Sequence, residues 1–209
     1  MIDLYTFGTP NGRKASIMLE EVSLPYTTHK VHIGQNDQFA PAFLKISPNN
    51  KIPAIIDNDV DGEPISVFET GAILVYLAEK THSPLLPTAP RARSDVMQWL
   101  MWKMGGQGPM FGQVNWFIGN QADNERAIER YVNEAIRLPG VLDRNLADRE
   151  YMAGDYSIAD VATYAWCAGR NQDWMPAQRP GQLEEFTDVT RWLAACLARP
   201  AVAKGMTVP

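Results

Sequence analysis

Three short stretches of this chain supply between them hydrogen-bond donors, two helix starts, a carboxylate and a lysine, a set that suits an anionic or zwitterionic ligand. The first is Thr9-Pro10-Asn11. Thr at the N-cap with Pro at the first helical position is a strong start signal. A helix start presents free N–H groups and roughly half a positive charge. The Thr9 hydroxyl and the Asn11 amide add side-chain donors there. Donors aimed at a sulfur favour its ionised form and lower its pKa. No cysteine stands at this helix start, so a thiolate held here would come from a ligand. Taken alone, the stretch reads first as a cap and a turn.

The second is Phe68-Glu69-Thr70-Gly71-Ala72-Ile73, where a strand runs straight into a helix. Thr70 offers its N–H and hydroxyl to a carboxylate, and Glu69 can pair with an ammonium on the same ligand. Together they suit an α-amino acid head group. The competing reading is an acidic first turn that complements the helix dipole. The third is Ser47-Pro48-Asn49-Asn50-Lys51-Ile52-Pro53-Ala54-Ile55-Ile56. Pro53 cannot donate to a ladder, so it opens a strand or sits at a sheet edge. A cis Ile52-Pro53 bond would turn the Ile52 amide pair outward, where it could hold an extended peptide by strand addition. In isolation the stretch reads as an ordinary trans proline entering an edge strand.

Other patterns are read as structural. Ser157 and Asp160 have capping-box spacing, with Tyr156 and Val161 placed for a hydrophobic staple. The Met- and aromatic-rich segment Met97 to Phe117 fits core or subunit interface before it fits an apolar substrate cleft. Cys167 and Cys196 lie in apolar helical patterns without a C-x-x-C, and read as small core residues. His29 and His32 are poorly spaced for chelation, so no metal site is expected.

These residues need elements to position them. Ile2–Phe7 reads as a strand, Pro10–Val22 as a helix with Ala15, Met18, Leu19 and Val22 inward, and Tyr26–Ile33 as a second strand. A short helix follows around Pro41–Leu44. Ala54–Asp57 and Ile65–Phe68 form a hairpin, and Glu69–Lys80 a helix. This βαβ-then-ββα order is the thioredoxin-like layout. Beyond Thr81–Pro90 no strand pattern appears. Helices are expected over Arg91–Met104, continuing past a kink at Pro109, then over Asn124–Asp148, Ser157–Asn171 and Phe186–Leu197. The expected division is therefore an α/β domain over 1–82, a linker over 83–89 and an all-α domain over 90–209. The 209 residues are 45% hydrophobic and 21% charged, with a net charge of −5. Such values fit a globular chain and speak against nucleic acid or an anionic membrane as partner. No signal peptide or membrane-spanning stretch is read, so a cytoplasmic location is expected.

Asn49-Asn50-Lys51-Ile52-Pro53-Ala54-Ile55 followed by Phe68-Glu69-Thr70-Gly71-Ala72-Ile73 resembles the glutathione-binding core of the glutathione transferases. The opening Leu4-Tyr5 with Thr9-Pro10-Asn11-Gly12, the Gly106-Gln107-Gly108-Pro109-Met110 segment and Ile128-Glu129-Arg130-Tyr131 resemble the nu class, bacterial glutathione-dependent disulfide-bond oxidoreductases. The resemblance runs nearly end to end. It implies that Thr9 and Asn11 face the glutathione sulfur and that Ile52, before a cis Pro53, pairs with the cysteinyl backbone. Lys51 and Gln38 would lie near the glycyl carboxylate, Glu69 and Thr70 would hold the γ-glutamyl end, and Arg130 would reach glutathione from the helical domain. It further implies glutathione as co-substrate, a small or mixed disulfide as second substrate and a homodimer. Conjugation of glutathione to an electrophile and a binding or regulatory role are the alternatives. Thr70 stands where the family more often has serine, and Asn115-Trp116-Phe117 where it often has histidines.

Overall fold

The structure is a computed structural model, and it describes residues 1–168 and 185–209. Strand β1 (Ile2–Thr6), helix α1 (Pro10–Glu21) and strand β2 (Tyr26–Lys30) form the expected parallel unit, with Ile2 opposite Tyr26 and Leu4 opposite Thr28. Two 3-10 turns, Ile33–Gln35 and Asp37–Phe39, lead into α2 (Pro41–Leu44). β3 (Ala54–Asp57) runs antiparallel to β1, and β4 (Ile65–Phe68) antiparallel to β3, giving the order β2-β1-β3-β4. α3 (Thr70–Lys80) starts two residues after β4 ends.

The β-branched and Leu positions explain this layering. Ile2 and Leu4 of β1 and Ile55 of β3 are buried with Ile17, Met18 and Leu19 of α1 and Ile73, Leu74 and Leu77 of α3. A smaller cluster, Val31, Phe43 and Ala54 with Tyr5, Ile46 and Ile52, packs beneath the loop before β3. Helix α1 is buried nearly all round, from Gly12 to Leu19 except Arg13. A short C-terminal helix, α9 (Pro200–Gly205), packs on it and explains this.

The chain divides into two compact units, Met1–Leu86 with Arg199–Pro209, and Pro87–Ala198. The division differs from the expected 1–82, 83–89 and 90–209 at two places. Leu85 and Leu86 are buried, so the chain leaves the first unit only after Leu86. The last eleven residues return to the first unit because α9 packs on α1.

The second unit is helical among its described residues: α4 (Pro90–Trp102), α5 (Gly108–Asn120), α6 (Glu125–Leu146), α7 (Ile158–Cys167) and α8 (Thr187–Leu197). α9 (Pro200–Gly205) belongs to the first. The kink expected from Pro109 takes the form of one π-helical turn, Lys103–Gln107, from which α5 begins with Pro109 in its first turn. The helix runs on without a break, the Gly108 N–H donating to the Lys103 carbonyl, so the wider π turn stands directly before the residue whose missing N–H interrupts the ladder. Leu138, Leu142 and Leu146 on α6 bury against this unit's core with Phe111, Val161 and Trp192. Cys167 and Cys196 are both buried, as read from their apolar surroundings. α7 ends at Cys167, and the residues 169–171 that were expected to extend it lie outside those described. Among the described residues, no helix is long and apolar enough to cross a membrane.

Candidate functional site

Asn11 is the second residue of α1, placed by Thr9, whose Oγ1 accepts the Gly12 N–H at 3.1 Å as the N-cap. Gly12 is required there: a Cβ would overlap the Phe7 carbonyl and the Thr6 hydroxyl. The first turn of α1 can therefore lie against the end of β1. In the segment that leads into β3, the 47–51 turn is closed by the Ser47 Oγ donating to the Lys51 carbonyl at 2.8 Å. The Asn50 N–H donates to the Ser47 carbonyl at 2.9 Å, with Asn50 at φ 46°. The Ile52-Pro53 peptide that follows is cis. At the end of β4, Glu69 is the N-cap of α3 at φ 70° and ψ 120°. Its carbonyl accepts the Ile73 N–H at 2.9 Å. Thr70, 8% exposed, opens the helix.

These three starts converge. A cavity of about 150 Å³ is lined by Asn11, Lys51, Ile52, Pro53, Glu69 and Thr70, with Ser47 and Phe68 at its edge. Pockets that enclose drug-sized ligands are usually ~300 Å³ or more. A space half that size takes part of an extended ligand rather than surrounding it. Its polar equipment is a carboxylate (Glu69), an ammonium (Lys51), an amide (Asn11) and a hydroxyl at a helix start (Thr70). That set matches a zwitterionic head group at one end and an anion at the other.

Six of the nine residues expected at the site line this cavity. Thr9 does not; it stands two residues away at the cap. Gln38 is half-buried in the second 3-10 turn and is not among the lining residues. Arg130 is on α6 in the second unit, where it lines a groove of about 1030 Å³ with Met110, Arg126, Tyr131 and Arg137.

Sequence reasoning missed Lys14. Its Nζ donates to Asn11 Oδ1 at 2.8 Å and to Thr70 Oγ1 at 3.3 Å, and the residue is 1% exposed. One signal was present: a lysine stands one helical turn after Asn11 on a helix whose neighbouring positions, Ala15 and Met18, were read as core.

Known proteins resemble this chain along nearly its whole length. The family model described as "Glutathione S-transferase, N-terminal domain" matches residues 9–80. The disulfide-bond oxidoreductase YfcG of Escherichia coli K12 is 43% identical, over 99% of this chain and 94% of its own. YghU of the same organism, also named a disulfide-bond oxidoreductase, is 38% identical over 99% of this chain and 74% of its own. Among solved structures, a glutathione transferase from Pseudomonas putida with one glutathione disulfide bound per subunit superposes with a TM-score of 0.92. It is 48% identical and covers 100% of this chain and 91% of its own. A family member from Pseudomonas fluorescens with two glutathione molecules bound gives the same TM-score at 49% identity, covering 100% and 93%.

Proposed function

Because the chain belongs to the glutathione transferase family, we propose that it binds glutathione at the Asn11–Lys51–Glu69–Thr70 cavity and uses the glutathione thiolate to reduce small or mixed disulfides. The observation that carries this reading is the convergence of those side chains and Ile52 on one cavity. Support also comes from the names of the similar Escherichia coli oxidoreductases and from the glutathione disulfide in the Pseudomonas putida structure.

Glutathione carries an α-amino acid head group, a central thiol and a second carboxylate. The γ-glutamyl carboxylate goes to the α3 start and the Thr70 hydroxyl, and its ammonium to Glu69. The cysteinyl backbone pairs with Ile52, and the glycyl carboxylate turns toward Lys51, with Gln38 on the same side. The sulfur faces Asn11 and Thr9, whose donors favour the thiolate. The thiolate attacks the sulfur of a glutathione mixed disulfide; a new S–S bond forms as the old one breaks. Glutathione disulfide leaves, and the departing thiolate takes a proton from water. Both sulfurs of the exchange come from small molecules. The two cysteines of this chain are buried, and burial pushes the Cys167 thiol up to about 12, out of thiolate range. The same reading carries a homodimer. Phe39, Met101 and Trp116 are large apolar side chains left exposed for a second copy to cover.

Asn11→Ala is expected to lower turnover of a small glutathione mixed disulfide by about 10²–10³, the loss typical when one preorganised donor to a developing anion is removed. Unchanged turnover overturns the assignment. A parallel assay with a chlorinated nitroaromatic distinguishes conjugation from reduction. Glutathione binding without turnover of either substrate would select a binding or regulatory role.

A further inference from the structure

We infer that Lys14 is a positioning residue: its buried ammonium fixes the Asn11 amide so that the NH2 edge meets the ligand, and couples that donor to Thr70. The inference rests on the reading above, in which the glutathione sulfur faces Asn11.

The chemistry of the three groups leaves little choice of orientation. An ammonium has three donors and no acceptor, whereas a carboxamide carries its acceptor on one side and its donors on the other. With Lys14 Nζ 2.8 Å from Asn11 Oδ1, the oxygen must face the lysine and the NH2 group must point the other way. Rotating the amide by half a turn would set donor against donor beside a buried cation. The same rule governs Thr70. Its Oγ1 accepts a hydrogen bond from Lys14 Nζ at 3.3 Å, so its own O–H is directed elsewhere.

An ammonium is costly to bury unless it is paired or hydrogen-bonded. Lys14 is 1% exposed on a helix whose adjoining Ala15, Ile17 and Met18 are core. An apolar residue would serve packing at that position. What the lysine adds is a link across 56 residues of sequence, joining the proposed thiol end of the site at Asn11 to the proposed glutamyl end at Thr70. A cation behind the amide also polarises it, so the NH2 group becomes a stronger donor to an anionic sulfur.

The test compares wild type, Lys14→Met, Asn11→Ala and the double variant. The ultraviolet absorbance of the bound glutathione thiolate is followed against pH, beside kcat and KM for a mixed disulfide. Lys14→Met is expected to raise the pH at which the bound thiol ionises. It should also lower kcat roughly ten- to a hundredfold, the range for residues that orient a primary ligand. The double variant is expected to be no worse than Asn11→Ala, since both remove one donor. If Asn11→Ala shifts the titration and Lys14→Met leaves it in place, or if the two losses simply multiply, the role of Lys14 is overturned while the function stands. If Asn11→Ala leaves the titration in place as well, the reading of the site falls and this inference with it. Should Lys14→Met not fold, a crystal structure of wild type with glutathione at atomic resolution decides. Lys14 Nζ on Asn11 Oδ1 with Nδ2 toward sulfur supports the role, and Lys14 turned away from Asn11 overturns it.

Discussion

Glu69 holds φ 70° and ψ 120°, a backbone conformation that residues with a side chain seldom adopt. Such positions cost on the order of 1–3 kcal/mol and persist where the surroundings or a function require them. The acidic residue could have been one that merely complements the dipole of α3, but that role belongs to the first helical turn. Glu69 instead stands outside it as the N-cap, makes no side-chain capping bond and lines the cavity. Its carboxylate is thus available to a ligand ammonium. Glu69→Gln keeps the shape and removes the charge. Hydrogen bonds to charged groups contribute roughly 1.5–3 kcal/mol, so glutathione affinity should fall about ten- to a hundredfold by titration calorimetry, with folding intact. Equal affinity in the two proteins would return Glu69 to a purely structural part. At this scale the sequence was informative wherever a role depends on nearby residues. Thr9 as cap, Pro53 at a strand entrance and Glu69-Thr70 at a helix start all follow from adjacent positions. Lys14 was hidden because its meaning depends on Thr70, which only the fold brings within reach.

Among the elements, the start of α7 shows how far a local motif carries. Ser157 Oγ accepts the Ala159 N–H at 3.3 Å, and Asp160 Oδ2 accepts the Ser157 N–H at 3.0 Å, completing the expected capping box. The fold adds what the spacing could not. Asp160 Oδ1 accepts the Met152 N–H at 3.0 Å and the Trp192 indole N–H at 2.8 Å, tying α7 to the preceding loop and to α8. Burial raises the Asp160 pKa although these hydrogen bonds oppose it. The Tyr156 ring packs edge-on against Tyr151, with centroids 5.2 Å apart. Ser157→Ala removes a cap and should cost roughly 0.5–2 kcal/mol. At this chain size that is a fall of about 2–4 °C in melting temperature per kcal/mol. Glutathione affinity should stay unchanged, because the cap belongs to the second unit and the residues that line the candidate cavity all belong to the first. A melting temperature equal to wild type would sink the capping argument.

For the molecule as a whole, the first unit is closed by both ends of the chain. α9 was not foreseen, because six residues opened by proline show no period that could mark a helix. Its importance is tertiary. Ser16 Oγ donates to the Gly205 carbonyl at 2.7 Å, Arg199 makes two hydrogen bonds of 2.8 Å to Glu21, and Lys204 pairs with Glu20 at 2.8 Å. These contacts cover the face of α1 turned away from the sheet, which is why a helix expected to be amphipathic is buried nearly throughout. They also hold the helix whose first turn carries Asn11 and Lys14. Gly205 permits the approach: an added Cβ would lie 2.5 Å from Ile17 Cα and 2.6 Å from its backbone nitrogen. Neither backbone atom can move aside without shifting α1. Gly205→Ala is therefore expected to destabilise by ~1–3 kcal/mol through overpacking, and to weaken glutathione binding by displacing the site's helix. Gly119→Ala on α5, where a new methyl meets nothing within 4 Å, is the control and should not lower the melting temperature. If Gly205→Ala melts with the control and binds glutathione like wild type, α9 is a passive tail and the C-terminus has no part in holding the site.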